Sequence, residues 1–217
     1  DVKDGIDARM LFQSESLYEK VQATPSNSEG SALAGLWDEM VATVAMYDAH
    51  TDALHAKLEQ QVWGHVSNAV ERISGAKAYA PGVDGMPPIE ELLGVLRRLW
   101  ASRFPEARKE NEDSSLSWGN WEVRVYAAEA YVSLADRFGE DHGEIINVFD
   151  AILADPAPQV RLQAAQNLQV LSRIASDRMW VLAECVARHE LNVGVLSAFL
   201  SIVIPRFTWT DVEKCKE

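Results

Sequence analysis

Two stretches of this chain repeat one pattern, and an internal repeat constrains a fold more than any single motif does. The stretches VRVYAAEAYVSL and VRLQAAQNLQVL begin at Val123 and Val160, which are 37 residues apart. Both place apolar and small residues at helical spacing, and each follows another apolar stretch of helical character. The repeated unit is therefore predicted to be a pair of helices, which buries its apolar faces by stacking on its neighbours.

Three such pairs are predicted between residues 88 and 207. Their ranges are about 89–138, 144–175 and 179–207. In the middle pair, Pro156 and Pro158 lie between the two helices, where proline ends one helix and begins the next. No stretch alternates apolar and polar residues as a half-buried strand does. We therefore predict an all-α fold, with a C-terminal tail at 208–217.

The middle pair resembles the HEAT-repeat family, in which a helix, a turn containing Asp-Pro and a second helix beginning Val-Arg and continuing through Ala-Ala form one unit. The resemblance covers residues 88–207. It implies an α–α superhelix, a short right-handed HEAT-like solenoid that follows long N-terminal helices. It also implies that Arg161 pairs with acidic residues of the turn, here Asp155.

The resemblance further implies a partner surface, because the second helices of HEAT-like pairs line the concave face that contacts other proteins. The polar positions of the two aligned helices then form the expected contact strip: Tyr126, Glu129, Gln163, Gln166 and Asn167. The alternative is an ordinary solvated face of the array.

The N-terminal region, residues 1–80, is predicted to hold helices at about 6–23 and 31–79. Apolar residues recur at a spacing of four and three from Leu33 to Leu58, as in a heptad seam. This stripe either packs against the rest of the chain or pairs with a second copy. The segment 31–79 is either one long helix or two helices broken near Gly64. Turn-forming residues at 24–31 and 80–88 bound the region.

A third loop, residues 104–120, interrupts the first pair and ends in Trp118-Gly-Asn-Trp121. Exposed tryptophans often dominate the binding energy of protein interfaces, which makes Trp118 a candidate contact residue. The alternative is that both rings fold over the first helical pair.

Charge restricts the class of partner. The chain has 20 Lys plus Arg against 33 Asp plus Glu, a formal net charge of −13. An average surface of this sign repels phosphate backbones, so a nucleic-acid partner is disfavoured. No apolar run in the sequence is long enough to span a bilayer, and we expect a cytoplasmic protein without a membrane partner.

Side chains that could support chemistry are few. Asp48, Asp52, His55 and Glu59 share one helical face, but the second half of a di-metal motif is missing, so we expect a solvated flank rather than a metal site. Cys185 lies in an apolar helical run, which predicts a buried thiol. The sequence contains none of the common phosphate-binding or nucleophile motifs, and we expect no cofactor and no catalytic residue.

These observations predict a noncatalytic protein-interaction or scaffold segment of a larger protein, which binds a protein partner on the concave face of the repeats. The alternative is a regulatory or sensor region of a larger enzyme, such as an NTPase or a nuclease. A third possibility is a repeat-built nucleic-acid-processing protein, which would need a basic groove.

Overall fold

A computed structural model describes residues 2–106, 116–119 and 121–216. Within these ranges the chain forms nine α-helices and no strand, which confirms the all-α prediction. The helices are α1 (Val2–Ala23), α2 (Gly30–His50), α3 (Ala56–Gly75), α4 (Ile89–Trp100), α5 (Val123–Phe138), α6 (Gly143–Leu153), α7 (Pro158–Ala165), α8 (Ser176–His189) and α9 (Val193–Ile202). Two short 3₁₀ turns lie at Leu168–Leu171 and Ile204–Arg206. Residues 208–216, the predicted tail, form turns and a bend.

The chain divides into two compact units. The first comprises residues 1–105 and 119–130, and the second comprises 106–118 and 131–217. This division differs from the expected boundary at residues 80–88. The reason is that α4 packs on α3 and buries its apolar face, so it belongs with the N-terminal helices instead of with the later pairs.

In the first unit, α1, α2 and α3 pack against one another in pairs. The inward face of α2 holds the buried side chains Leu33, Leu36, Trp37, Met40 and Tyr47. Most of the predicted heptad stripe on α2 is therefore used within the chain. The self-association expected for the helix around Leu33–Leu58 would require a surface that this packing already covers.

The predicted long helix at 31–79 is wrong, because residues 51–55 separate α2 from α3. The break is also not at Gly64, which lies buried inside α3. The Thr51 hydroxyl donates to the carbonyl oxygen of Tyr47 at 3.0 Å, at the end of α2. The Asp7 carboxylate accepts from the main-chain N–H of His55, the N-cap of α3, at 3.1 Å. Polar groups at both helix ends thus stabilise the break.

The predicted turn segment at 80–88 is a turn in the structure. Gly82, Asp84 and Gly85 have φ angles of 71°, 52° and 79°, in the left-handed region that glycine enters without a steric cost. The Tyr79 hydroxyl donates to the carbonyl oxygen of Pro87 at 3.1 Å and closes the segment. The sequence places glycine at two of the three positions that need it.

The second unit contains two consecutive helical pairs, α6 with α7 and α8 with α9. Contacts join α6 to α7, α7 to α9 and α8 to α9. Its core includes Phe149 of α6 and Phe199 of α9, both essentially inaccessible to solvent. The second helix of the middle pair is shorter than predicted, since α7 ends at Ala165 and a 3₁₀ turn follows.

Candidate functional site

The predicted contact strip is not a continuous exposed surface. Gln163 is only 2% exposed, so it presents almost no surface to a partner. Its amide donates to the carbonyl oxygen of Gln159 at 3.2 Å, and the amide of Asn167 donates to the Gln163 carbonyl oxygen at 2.9 Å. The amide of Gln166 reaches the Gln163 side-chain oxygen at 3.4 Å. These amides therefore satisfy one another and the backbone of α7.

The other two members of the strip lie on α5, in the first unit. Tyr126 and Glu129 are both partly buried there. Burial raises the pKa of Glu129, and the nearby positive charge of Arg72 lowers it. Glu129 is therefore in a less polar environment than the carboxylate of a fully solvated face.

Sequence reasoning missed Glu71 on α3, a second partly buried carboxylate. Burial, together with the negative charge of Glu129, raises the pKa of Glu71 to about 7, although the positive charge of Arg72 opposes the change. A signal was available in the sequence, because Glu71 lies between the apolar residues Val70 and Ile73. A carboxyl group that is desolvated in this way loses its proton near neutral pH instead of in the acidic range.

The pH dependence of stability follows from this pKa. Between the ordinary value of 4.5 and about 7, the folded state keeps a proton on Glu71 that the unfolded state has lost. Stability therefore falls as the pH rises through this window. Glu71→Gln should raise the free energy of unfolding by about 2 kcal/mol at pH 8, after allowance for solvent screening, and change it little at pH 4. Urea denaturation at both pH values measures the difference.

Glu19→Gln, at an exposed position of α1, is the matched control and should have nearly the same small effect at both pH values. An equal effect of Glu71→Gln at pH 4 and pH 8 would show that this carboxyl group is not desolvated in solution.

The two tryptophans of the third loop are partly exposed. Trp118 is 36% exposed and belongs to the second unit, whereas Trp121 is 47% exposed and belongs to the first. Residues 107–115 and 120 of the predicted loop lie outside the described residues. Trp118 thus keeps an accessible surface.

The two arginines that begin the repeated stretches share a structural role. Arg124 donates to the carbonyl oxygens of Ser102 and Pro105 at 2.8 and 2.9 Å. Arg161 donates to the carbonyl oxygens of Asp155 and Pro156 at 2.8 and 3.2 Å. Each guanidinium group therefore binds main-chain oxygens of the segment that follows the preceding helix. Repetition of this contact favours a structural role over ligand binding.

Arg161 also forms a bidentate ion pair that the sequence did not predict. Its Nε and Nη2 atoms lie 2.8 and 2.9 Å from the two carboxylate oxygens of Glu190. The side chains are only 17% and 5% exposed. One oxygen of Glu190 also accepts from the main-chain N–H of Asn192 at 2.7 Å, and the Asn192 side chain caps α9. The ion pair therefore links α7 to the start of α9.

Three of the four residues of the predicted acidic stripe, Asp48, His55 and Glu59, form ion pairs at the surface. Asp48 binds Arg98 in a bidentate pair at 2.8 and 2.5 Å, and Glu59 pairs with Arg103 at 2.7 Å. His55 pairs with Asp7. Among the residues that the structure describes, no group of three or more His, Cys, Asp or Glu side chains could hold a metal ion.

The prediction that Cys185 is buried is wrong. The inward face of α8 consists of Met179, Leu182, Ala183 and Val186, at the expected helical spacing. Cys185 lies beside this face and is exposed. Small and apolar residues flank Cys185, so the sequence alone does not show which side of the helix faces the core.

An open cleft of about 450 Å³ lies in the first unit. Its lining residues are Glu15, Tyr18, Gln61, His65, Gly119 and Trp121. The His65 ring is buried and stacks on Tyr18, with the ring centroids 4.9 Å apart and an angle of 27° between the planes. Sequence reasoning missed this cleft, since its residues come from α1, α3 and the segment before α5.

A second exposed feature is the outer face of α9. Val193 is 79% exposed and Leu200 is 48% exposed, and Leu196 between them is partly exposed. The inner face of the same helix holds the buried residues Val195 and Phe199. No charged residue occurs anywhere in α9. The solvent side of the helix therefore carries no charge and exposes three apolar side chains beside Ser197 and Ser201.

Comparison of the chain with protein-family models, curated protein sequences and solved structures gives no match. None of the helices in the described part of the chain is long and apolar enough to cross a membrane.

Proposed function

We propose that this chain is a noncatalytic protein-interaction module that binds a helical segment of another protein on the outer face of α9. The observation that carries the proposal is the exposed, uncharged stripe of Val193, Leu196 and Leu200. Their spacing of three and four residues places them on one side of the helix. Exposed apolar stripes of this kind are typical of surfaces that bind other proteins.

The architecture gives a reason for a helical partner. In stacked helical pairs, the outer face of one pair is covered by further helices, and α9 belongs to such a pair. A helix with apolar residues at matching spacing would cover this stripe as the next helix of an array does. The HEAT-like pattern of residues 88–207 supports this interpretation. The burial of Gln163 moves the proposed contact surface from the predicted strip to α9.

Charge favours a different protein over a second copy. Two copies of a chain with a net charge of −13 repel each other before contact, whereas a basic partner is attracted. The expected occupant is therefore an amphipathic helix whose polar face is rich in Lys and Arg.

Site-specific photo-crosslinking tests the proposal. A photoreactive residue is introduced at Leu200, and at Val41 of α2, which has a similar exposure of 44%, as the matched control. We expect a partner that crosslinks from position 200 and not from position 41. The crosslinked peptide should have the sequence of a basic amphipathic helix.

The expected effect of substitution is measured with that peptide in purified form. Leu200→Gln removes apolar contact worth about 1–2 kcal/mol, so we expect roughly tenfold weaker binding by calorimetry. Val41→Gln should leave the affinity unchanged. Crosslinks only between copies of this chain, or equal crosslinks from both positions, would overturn the proposal.

A further inference from the structure

The cleft of the first unit combines aromatic side chains with one carboxylate. Trp121 and Tyr18 contribute aromatic rings, and the exposed side chain of Glu15 contributes the acidic group. None of the six lining residues is Lys or Arg. The only basic side chain in the lining is His65, so the protonation state of this ring decides the charge of the cleft.

Hydrogen bonding fixes the His65 ring. Its Nδ1 atom lies 2.9 Å from the carbonyl oxygen of Ser14, and the Ser14 hydroxyl lies 2.8 Å from the same nitrogen. Because a carbonyl oxygen can only accept, Nδ1 carries the hydrogen and donates it. Burial lowers the pKa of His65 below its usual 6.5, although the bond to Ser14 and the charge of Glu15 oppose this effect. The ring is therefore neutral at pH 7.

Contacts with neighbouring residues position the His65 side of the cleft. His65 is held by Ser14 on one side and stacks on Tyr18. The main-chain oxygen of Trp121 accepts from the Gln60 amide at 3.4 Å, which links this residue to α3. About half of the Trp121 residue surface stays accessible. The cleft thus presents π-electron surfaces together with a negative charge to solvent.

We propose that this cleft binds an alkylated ammonium group, such as a quaternary ammonium or a methylated lysine, through the rings of Trp121 and Tyr18 and the carboxylate of Glu15. Aromatic faces attract cations, and the attraction is strongest for tryptophan. Alkyl groups reduce the hydration of the ammonium and fit against aromatic surfaces, whereas an unmodified ammonium is strongly hydrated. This site shares no residue with the α9 stripe, so it does not depend on the function proposed above.

Titration followed by NMR tests the proposal. The probes are tetramethylammonium, an acetylated trimethyl-lysine amide and the neutral isostere of that amide, in which carbon replaces the charged nitrogen. We expect the trimethyl-lysine amide to bind about tenfold more tightly than its neutral isostere and to shift the indole N–H signal of Trp121. Binding of the amide well above that of tetramethylammonium would identify a methylated protein as the source, and equal binding would identify a small cation.

Variants separate the cleft from other tryptophans. Trp121→Ala should abolish detectable binding, and Glu15→Gln should weaken it several-fold because it removes the negative charge. Trp209→Ala is the matched control, since Trp209 is 91% exposed and belongs to the second unit. The proposal is overturned if the neutral isostere binds as well as the cation, if Trp121→Ala binds like the parent chain, or if none of the probes binds.

Discussion

Glu190→Gln should lower the free energy of unfolding by about 3–5 kcal/mol, because it leaves a buried guanidinium group without its counter-ion. The Arg161 and Glu190 side chains are 17% and 5% exposed, so water can replace the lost partner only in part. The substitution keeps the size of the side chain and removes only its charge. Urea denaturation at pH 7 measures the loss.

The control for this variant is Glu184→Gln. Glu184 pairs with Arg188 four residues later on α8, but the two side chains are 60% and 61% exposed. An exposed pair of this type contributes less than about 0.5 kcal/mol. If Glu190→Gln costs no more than Glu184→Gln, the ion pair of Arg161 is not formed in solution.

A double variant tests whether the loss of stability comes from the unpaired charge of Arg161. Arg161→Leu combined with Glu190→Leu removes both charges, and we expect it to be more stable than Glu190→Gln alone. Recovery should be incomplete, because Arg161 also donates to the carbonyl oxygens of Asp155 and Pro156. Those oxygens and the N–H of Asn192 would lose their partners in the double variant.

Phe149→Ala should lower the free energy of unfolding by about 3–5 kcal/mol through loss of apolar burial and the formation of a cavity. Phe149 is fully buried and is among the largest completely enclosed side chains of the chain. The neighbouring helices cannot collapse fully onto the space that an aromatic ring leaves. Chemical denaturation, with circular dichroism to confirm retained helix, gives the value.

Phe12→Ala makes the same chemical change at a position that is 74% exposed. It should cost less than about 1 kcal/mol, because little apolar surface is removed from the interior. Similar losses for both variants would mean that α6 does not pack through Phe149 as described.

Local pattern was enough to predict most helices. The amphipathic face of α4 and the Pro158 that begins α7 are encoded within a few residues. The break between α2 and α3 was not predictable in this way. One of the groups that bind at the break is Asp7, which lies 48 residues before His55 in the chain. Apolar spacing continues through the break and gives no sign of it.

The candidate sites show the same limit. Gln163 was expected at the surface because glutamine is polar, yet nearby groups of α7 satisfy its amide and allow its burial. The cleft joins residues from Glu15 to Trp121, which only the tertiary structure brings together. In contrast, the apolar character of α9 is readable from the sequence, and only its exposure needed the structure.

The position of Cys185 gives the molecule a natural attachment point. Cys185 is exposed beside the packed face of α8 and is not among its buried residues, so we expect a fluorophore there to leave the core undisturbed. Burial and the charge of Asp211 raise the pKa of the second thiol, Cys215, which slows its reaction with maleimides at neutral pH. A reporter dye placed at Cys185 would therefore sit one helix away from α9, in the same pair, without any engineered cysteine.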